Sequence, residues 1–201
     1  MKKEIYLFAI ASLFATSAIF AQTSKTFVID AGHGGFDKGS KNHNIIESEY
    51  SLELAKKMQE LAKQKNINVI LTRDTDDFID LQSRVDKLQE LNPELVISLH
   101  LNNAVNKETK GSEVYIKKDN LDARTEKIGT ELADLISFDS INNRGLKKGN
   151  FKILRESKSP TFLVELGFVS NENDAETLKN TEYKNQLAEK FVQFLENYQS
   201  I

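Results

Sequence analysis

Two kinds of apolar pattern alternate along the chain. Short runs rich in β-branched residues predict strands, and they lie at 26–30, 67–72, 94–100, 112–117, 151–155 and 161–166. Apolar stripes at helical spacing predict helices, and they cover 47–65, 81–91, 121–135, 171–179 and 187–198. Strands that alternate with helices are typical of an α/β fold. We therefore predict a single three-layer domain in which helices flank a mainly parallel, twisted sheet.

Polar residues mark the starts of two of these helices. Asp80 precedes the stripe at 81–91 and is an expected N-cap, while Pro93 helps to end that helix. In the segment 171–179, Asn173 and Glu176 have the spacing of a capping box, so we expect a helical turn there.

The first 21 residues have the layout of a secretory signal peptide. Lys2 and Lys3 precede an apolar stretch from Ile5 to Phe20, and the small residue Ala21 follows. The stretch is shorter than the roughly 20 residues that a membrane span needs, although an uncleaved N-terminal anchor is the alternative. We expect a signal peptide at 1–21, export to the periplasm or the medium, and no stable membrane insertion after cleavage.

The composition narrows the class of protein. The 201-residue chain has no cysteine, which excludes disulfides, thiolate metal sites and a cysteine nucleophile. Its net charge is −3, and without a basic patch or stripe nothing suggests a nucleic-acid partner. After the leader, 25–201 is long enough for one domain and too short for two.

Histidines stand where two of the predicted strands end. His33 follows the first strand in a glycine-rich loop, "GHGG", and His100 closes the strand at 94–100. Open α/β sheets carry their sites at the carboxyl ends of strands. His33 either belongs to a tight strand-to-helix turn or reaches a metal ion. The third histidine, His43, lies among lysine and asparagine residues, and we expect it in an exposed loop.

Two acids have both a structural and a functional interpretation. Glu47 opens the helix at 47–65, where the helix dipole favours a carboxylate whatever its role, or it completes a zinc site with the two histidines. Glu165 is the only acid in the apolar segment "TFLVELGFVSN". Burial of an acid is costly without a partner, so Glu165 is either half of an ion pair or a general base for an attacking water. Arg73 and Arg84 either bind an anionic substrate group or pair with acids at 74–77.

Several stretches, taken together and in order, resemble the zinc-dependent N-acetylmuramoyl-L-alanine amidases of the amidase-3 family. They are "VIDAGHGG", "IIESEYSLELAKKM", "NVILTRDTDDFIDLQSRV", "LVISLHLNN", "GSEVYI", "NRGLKKGNFKILRESKSPTFLVELGFVSN" and "YKNQLAEKF". Each stretch is weak alone, whereas the ordered set is specific and covers essentially the whole chain after the leader.

The resemblance implies a site and a reaction. It implies that His33, Glu47 and His100 hold one zinc ion (Zn2+), with the register selecting Glu47 over Glu49, and that Glu165 is the catalytic glutamate. It also implies that the partner and substrate is peptidoglycan, hydrolysed at the amide between N-acetylmuramic acid and L-alanine by a metal-activated water.

Further expectations follow for the rest of the chain. The amidase domain should span 25–201 and act as a monomer. Asn102, just after His100, is a candidate for contacting substrate or supporting the ligands, against a plain role in a turn. Arg73 is a second candidate of this kind.

Two other functions remain open. A module that binds peptidoglycan without cleaving it is one, although the presence of all four expected polar residues favours the hydrolase. A zinc peptidase that cuts within the stem peptide is the other, because metal-assisted hydrolysis is the same for any amide.

Overall fold

The computed structural model describes residues 25–120 and 122–199. The signal peptide predicted at 1–21 lies outside these residues. Within them, no helix combines the length and the apolar character that crossing a membrane requires.

Six of the eight strands in the described ranges form one sheet. The strands are β1 (Thr26–Ala31), β2 (Lys41–Asn42), β3 (Ile45–Ile46), β4 (Asn68–Leu71), β5 (Leu95–Asn102), β6 (Ser112–Lys117), β7 (Asn143–Gly149) and β8 (Thr161–Phe168). The sheet order is β4-β1-β5-β8-β6-β7, and β2 and β3 pair separately. Neighbours in the large sheet are parallel except β6 and β8, which are antiparallel.

Helices of the described chain cover both faces of this sheet. They are α1 (Glu47–Gln64), α2 (Leu81–Leu91), α3 (Ala123–Ile136), α4 (Lys152–Glu156), α5 (Glu172–Lys179) and α6 (Thr181–Gln199). The larger apolar core lies between the sheet and α1, α3, α5 and α6. A smaller core lies between the sheet and the pair α2 and α4. This arrangement confirms the predicted three-layer α/β domain with a mainly parallel sheet.

The strand predicted at 151–155 is wrong, because this segment forms the short helix α4. Ile153 and Leu154 are consecutive and both are buried in the smaller core. Consecutive residues of a strand face opposite sides of a sheet, so only a helical turn places both in one layer. The edge strand β7 was not predicted, since Leu146 is the single large apolar residue in its sequence "NRGLKKG".

The two predicted helix starts had different outcomes. Asp80 is the N-cap of α2 as expected, and its side chain accepts hydrogen bonds from the backbone N–H groups of Gln82 and Ser83. The capping box at 173–176 is wrong, because Asn171 caps α5 by accepting from the N–H of Asp174.

The strands carry polar residues on one face at their carboxyl ends. The face toward α2 and α4 is apolar where the central strands begin, at Val28, Val96 and Leu163. Side chains alternate between the faces of a strand, so the residues that follow on this same face are Asp30, Ser98, His100 and Glu165. The sheet therefore delivers two of the predicted site residues to one place.

Candidate metal centre and active site

Three side chains that are far apart in the sequence converge at this end of the sheet. His33, Glu47 and His100 each offer one ligand atom, and these atoms all lie within 4.8 Å of one another. Oε1 of Glu47 is 3.0 Å from Nε2 of His33 and 2.9 Å from Nδ1 of His100. Two imidazole nitrogens and one carboxylate oxygen form a typical set for a catalytic zinc ion. The chemistry of this donor set fits a divalent metal.

Glycines allow the backbone to pass close to these ligands. A Cβ atom on Gly32 would lie 2.5 Å from Cε1 of His100, and one on Gly39 would lie 2.6 Å from Oε2 of Glu47. Real Cβ atoms essentially never come so near to another heavy atom. The glycine-rich loop is therefore a consequence of tight packing around the site, which explains why a histidine lies among glycines.

The backbone of His33 itself is held in an unfavourable conformation. Its φ is 57°, a left-handed value that costs energy for residues with a Cβ atom. Arg84 Nη2 donates to the carbonyl of His33 at 2.5 Å, and Arg73 Nη2 donates to the carbonyl of Gly32 at 2.8 Å. Two buried guanidinium groups thus hold the loop in place.

Further hydrogen bonds orient the side chains of these three potential ligands. Nδ1 of His33 lies 2.8 Å from Oδ2 of Asp37, which leaves Nε2 directed at Glu47. The two oxygens of Glu47 accept from the backbone N–H groups of Ser40 and Leu101. Partners of this kind fix the ring orientation of a metal-binding histidine and raise its basicity.

The site strongly favours positive charge on its imidazoles. Burial would lower the pKa of His33, but its hydrogen bonds to Glu47 and Asp37 outweigh burial and raise the pKa to about 9. The pKa of His100 is also raised, because its bond to Glu47 outweighs the effect of burial. Burial would raise the pKa of Glu47, yet the two histidines hold it well below its ordinary value. The carboxylates of Glu47 and Asp37 therefore stabilise positive charge at this point, whether protons on the imidazoles carry it or a metal ion bound in their place.

Glu165 lies beside the three potential ligands but has a different environment. It pairs in register with His100 on the neighbouring strand. Its Oε2 is buried and has no hydrogen-bond partner among the described residues. Burial, reinforced by the charges of Glu47 and Glu113 and opposed by His100, raises the pKa of Glu165 to about 7. A carboxyl group with such a pKa can both accept and release a proton near neutral pH.

These groups share one open cleft. It has a volume of about 600 Å³, and all three potential ligands, Asn102 and Glu165 line it. Asn102 also donates from Nδ2 to Oε2 of Glu113 at 3.3 Å. Glu49 and His43 are exposed, which agrees with the preference for Glu47 and with the expectation for His43.

Of the two alternatives for Arg73 and Arg84, an ion pair with an acid is found for Arg84, although its partner is not one of the acids at 74–77. Arg84 forms a buried ion pair with Asp30, whose Oδ1 lies 2.6 Å from Nη1. Arg73 is 3% exposed and donates to backbone carbonyls, those of Ala31, Gly32, Ser48 and Thr75. Sequence spacing suggested nearby acids, whereas the acceptors are brought in by the fold.

Two residues of this region were missed. Asp37 gives little signal in the sequence beyond its position four residues after His33. Glu113 is buried next to Glu165, and it is the only acid in "SEVYIK". Like Glu165, Glu113 is an acid within an apolar strand, so the same signal for it was present in the sequence.

Comparison with known proteins places this geometry in a family. The family model described as N-acetylmuramoyl-L-alanine amidase matches residues 27–197. The uncharacterized protein YqiI of Bacillus subtilis is 30% identical over 196 residues, which are 94% of this chain and 95% of YqiI. The N-acetylmuramoyl-L-alanine amidase LytC of the same organism is 30% identical over 166 residues, which are 82% of this chain and 34% of LytC.

Solved structures agree with the sequence comparisons. The crystal structure of N-acetylmuramoyl-L-alanine amidase from Clostridium difficile 630 matches with a TM-score of 0.81 and 32% identity, over 88% of this chain and 97% of that one. The chain therefore belongs to the amidase-3 family of N-acetylmuramoyl-L-alanine amidases. This confirms the family, the fold and the amidase class of enzyme that the sequence predicted.

Proposed function

We propose that the chain holds one zinc ion through His33, Glu47 and His100 and uses Glu165 as the general base of amide hydrolysis. The bond cleaved is the one between N-acetylmuramic acid and L-alanine of peptidoglycan. One observation carries this proposal: three potential ligand atoms of suitable types converge beside a buried carboxyl oxygen that has no hydrogen-bond partner in the described part of the chain. An acid so placed is costly to the fold, and a catalytic role accounts for it.

The reaction assigns a defined task to each group. A zinc ion held by the three ligands would supply Lewis-acid polarisation of the scissile carbonyl and would acidify water. Glu165 accepts a proton from the attacking water as its oxygen adds to the amide carbon. Glu165 then gives this proton to the nitrogen as the carbon–nitrogen bond breaks. The products are a free lactyl carboxylate and the free amino group of L-alanine.

Neighbouring residues position the catalytic groups. We assign Arg73 and Arg84 to holding the loop of His33, since their donors are occupied by carbonyl oxygens and by Asp30. Asn102 faces the cleft and bonds Glu113, so it is suited both to touch substrate and to orient that acid. Asp37 fixes the ring of His33.

We also propose an exported enzyme. Residues 1–21 would be a cleaved signal peptide and 25–201 the amidase domain, acting as a monomer in the periplasm or outside the cell. Relatives in staphylococci are named as probable cell wall amidases, LytH, and peptidoglycan itself lies outside the cytoplasm. The absence of cysteine means that folding after export needs no disulfide.

Digestion of purified sacculi tests this proposal directly. The protein is incubated with sacculi with and without a chelator, and the soluble products are identified by mass spectrometry. Glycan strands without peptides, together with intact stem peptides, are expected, and the chelator should abolish both. Shortened stem peptides would instead identify a peptidase, and binding without any product would identify a module that has lost catalysis.

A further inference from the structure

A bulge in β7 brings two cations to the same face of the sheet. The register between β6 and β7 shifts at Glu113, so that both Arg144 and Gly145 lie opposite this one residue. Residues three apart on a regular strand point to opposite faces, but the extra residue of a bulge reverses this relationship. Gly145 has φ of 77°, which glycine adopts at little cost. Arg144 and Lys147 consequently point in the same direction.

Both cations contact a single buried carboxylate. Oε1 of Glu113 lies 2.5 Å from Nε of Arg144 and 2.5 Å from Nζ of Lys147. Its other oxygen accepts from the hydroxyl of Tyr115 at 2.7 Å and from Asn102. One carboxylate balances one of the two cations, so the group carries an excess positive charge. The side chains of Arg144 and Lys147 are each 35% exposed, so this charge is accessible to a ligand.

The charged group adjoins the active-site cleft on two sides. Glu113 is the register partner of Glu165 across the antiparallel pair β6 and β8, and directly opposed side chains of such a pair are close neighbours. On the other side, Nζ of Lys147 lies 5.9 Å from the ring centroid of Tyr115. That ring packs edge-on, at 5.2 Å, against Phe151, which lines the cleft.

We propose that Arg144 and Lys147 form a subsite for a carboxylate of the stem peptide. The inference rests on the proposed function, because the amide to be cut would lie at Glu165 and the stem peptide would extend along the cleft from there. Nε and Nη1 of Arg144 donate to Glu113 and to the carbonyl of Lys110, so Nη2 and the ammonium group of Lys147 are the donors that suit an anionic carboxylate. In stem peptides a glutamyl residue follows L-alanine, and its α-carboxyl group is the one nearest to the amide that would be cut. We therefore expect the subsite to select stem peptides in which this carboxyl group is free over those in which it is a carboxamide.

Two matched substrates test the subsite. They are a muramyl pentapeptide and the same compound with the α-carboxyl group of its glutamyl residue converted to a carboxamide. The zinc-loaded wild type should show a kcat/KM about tenfold or more higher for the carboxylate, a typical effect of a charge-assisted contact. Arg144→Gln and Lys147→Gln should each lower the preference for the carboxylate, taken as the ratio of the two kcat/KM values, about tenfold and mainly through KM for the carboxylate. Each variant keeps one cation on Glu113.

Lys148→Gln is the matched control. Lys148 follows Lys147 in β7, so its side chain lies on the opposite face of the sheet, where it pairs with Glu126 at 2.8 Å. Lys148→Gln therefore removes one positive charge, as the other two variants do, without altering the cleft. Its substrate preference should equal that of the wild type. An unchanged preference in Arg144→Gln and Lys147→Gln would overturn the subsite while leaving the amidase intact.

A binding measurement separates this inference from the proposed function. If the wild type cleaved neither compound, the proposed reaction would fail. Titration calorimetry with the two stem peptides, without the sugar, would still test the subsite. Tighter binding of the carboxylate form, reduced in Lys147→Gln, is the expected result, and equal binding of the two forms by the wild type would overturn it.

Discussion

The guanidinium of Arg84 connects the loop of His33 to a buried carboxylate in the centre of the sheet. Its Nη2 donates to the carbonyl of His33 at 2.5 Å, and its Nη1 lies 2.6 Å from Oδ1 of Asp30. Asp30 is further held by the hydroxyls of Thr72 and Ser98. The unfavourable φ of His33 is thus maintained by an ion pair in the core, so the geometry of the proposed metal site depends on residues that do not touch a ligand's side chain.

Replacing Arg84 should therefore affect both stability and metal binding. Arg84→Met leaves Asp30 buried without its cation, and we expect a loss of about 3–5 kcal/mol in the free energy of unfolding, measured by urea denaturation. Zinc affinity, measured by competition with a chromophoric chelator, should fall in the same variant. Arg155→Met is the control, because Arg155 pairs with Glu156 at the surface and such pairs contribute about 0–1 kcal/mol. Equal effects in the two variants would contradict the prediction.

Asp37 should contribute to metal affinity through His33. Asp37→Asn keeps the size of the side chain but removes the charge next to Nδ1 of His33, and changes of this kind typically cost about 10–100-fold in affinity. Asp76→Asn is the control. Asp76 accepts hydrogen bonds from Lys38 and from the N–H of Gly35, which belong to the loop of His33, but it does not contact a histidine. Unchanged zinc affinity in Asp37→Asn would show that the loop alone orients His33.

Substitutions of Glu165 and His100 should distinguish the loss of catalysis from the loss of metal binding. Glu165→Gln should keep its zinc, as measured by elemental analysis, and should lose about 10²–10⁴-fold in the rate of sacculus digestion, because a carboxamide cannot accept the proton. His100→Ala should lose both the zinc and the activity. A fully active Glu165→Gln protein would refute the assigned base.

The Asp30–Arg84 pair should make stability depend on pH. Burial alone would raise the pKa of Asp30, but Arg84 and the hydroxyls of Ser98 and Thr72 outweigh burial and lower it. A carboxyl group whose pKa is lower in the folded state stabilises the protein above its unfolded pKa, about 3.9. That contribution is lost as the pH falls through the folded value.

The test compares unfolding free energies in urea between pH 7 and pH 3. The wild type should lose more stability over this range than Asp30→Asn, which has no proton to take up at this position. Asp119 is exposed, so Asp119→Asn is the control: it shows how much of the change in the pH dependence of stability comes from the loss of one negative charge. Identical pH profiles for the wild type and Asp30→Asn would contradict the prediction.

The local pattern of apolar and polar residues was sufficient to predict most elements of the fold. It failed for the strand β7 and for the helix α4. The buried strands β1, β5 and β8 have apolar runs because both faces of each strand pack against a core, and helix α1 has an apolar stripe because one of its faces does. The edge strand β7 has no such period, since its register is set by pairing with β6 and by a bulge. Similarly, the sequence around Ile153 and Leu154 is typical of a strand, and only the burial of both residues in the smaller core distinguishes it from one.

The sequence by itself determined the α/β class, the family and the kinds of side chain in the candidate site, because short-range periodicity and ordered motifs are properties of the chain alone. The tertiary structure decided how the site is held and charged. It directed Arg84 to Asp30, filled the donors of Arg73 with carbonyl oxygens, and set Glu113 against both Glu165 and the cations of β7. The physical reason is that contacts between residues distant along the chain depend on strand order, register and the face of the sheet, and a shift of one residue reverses that face.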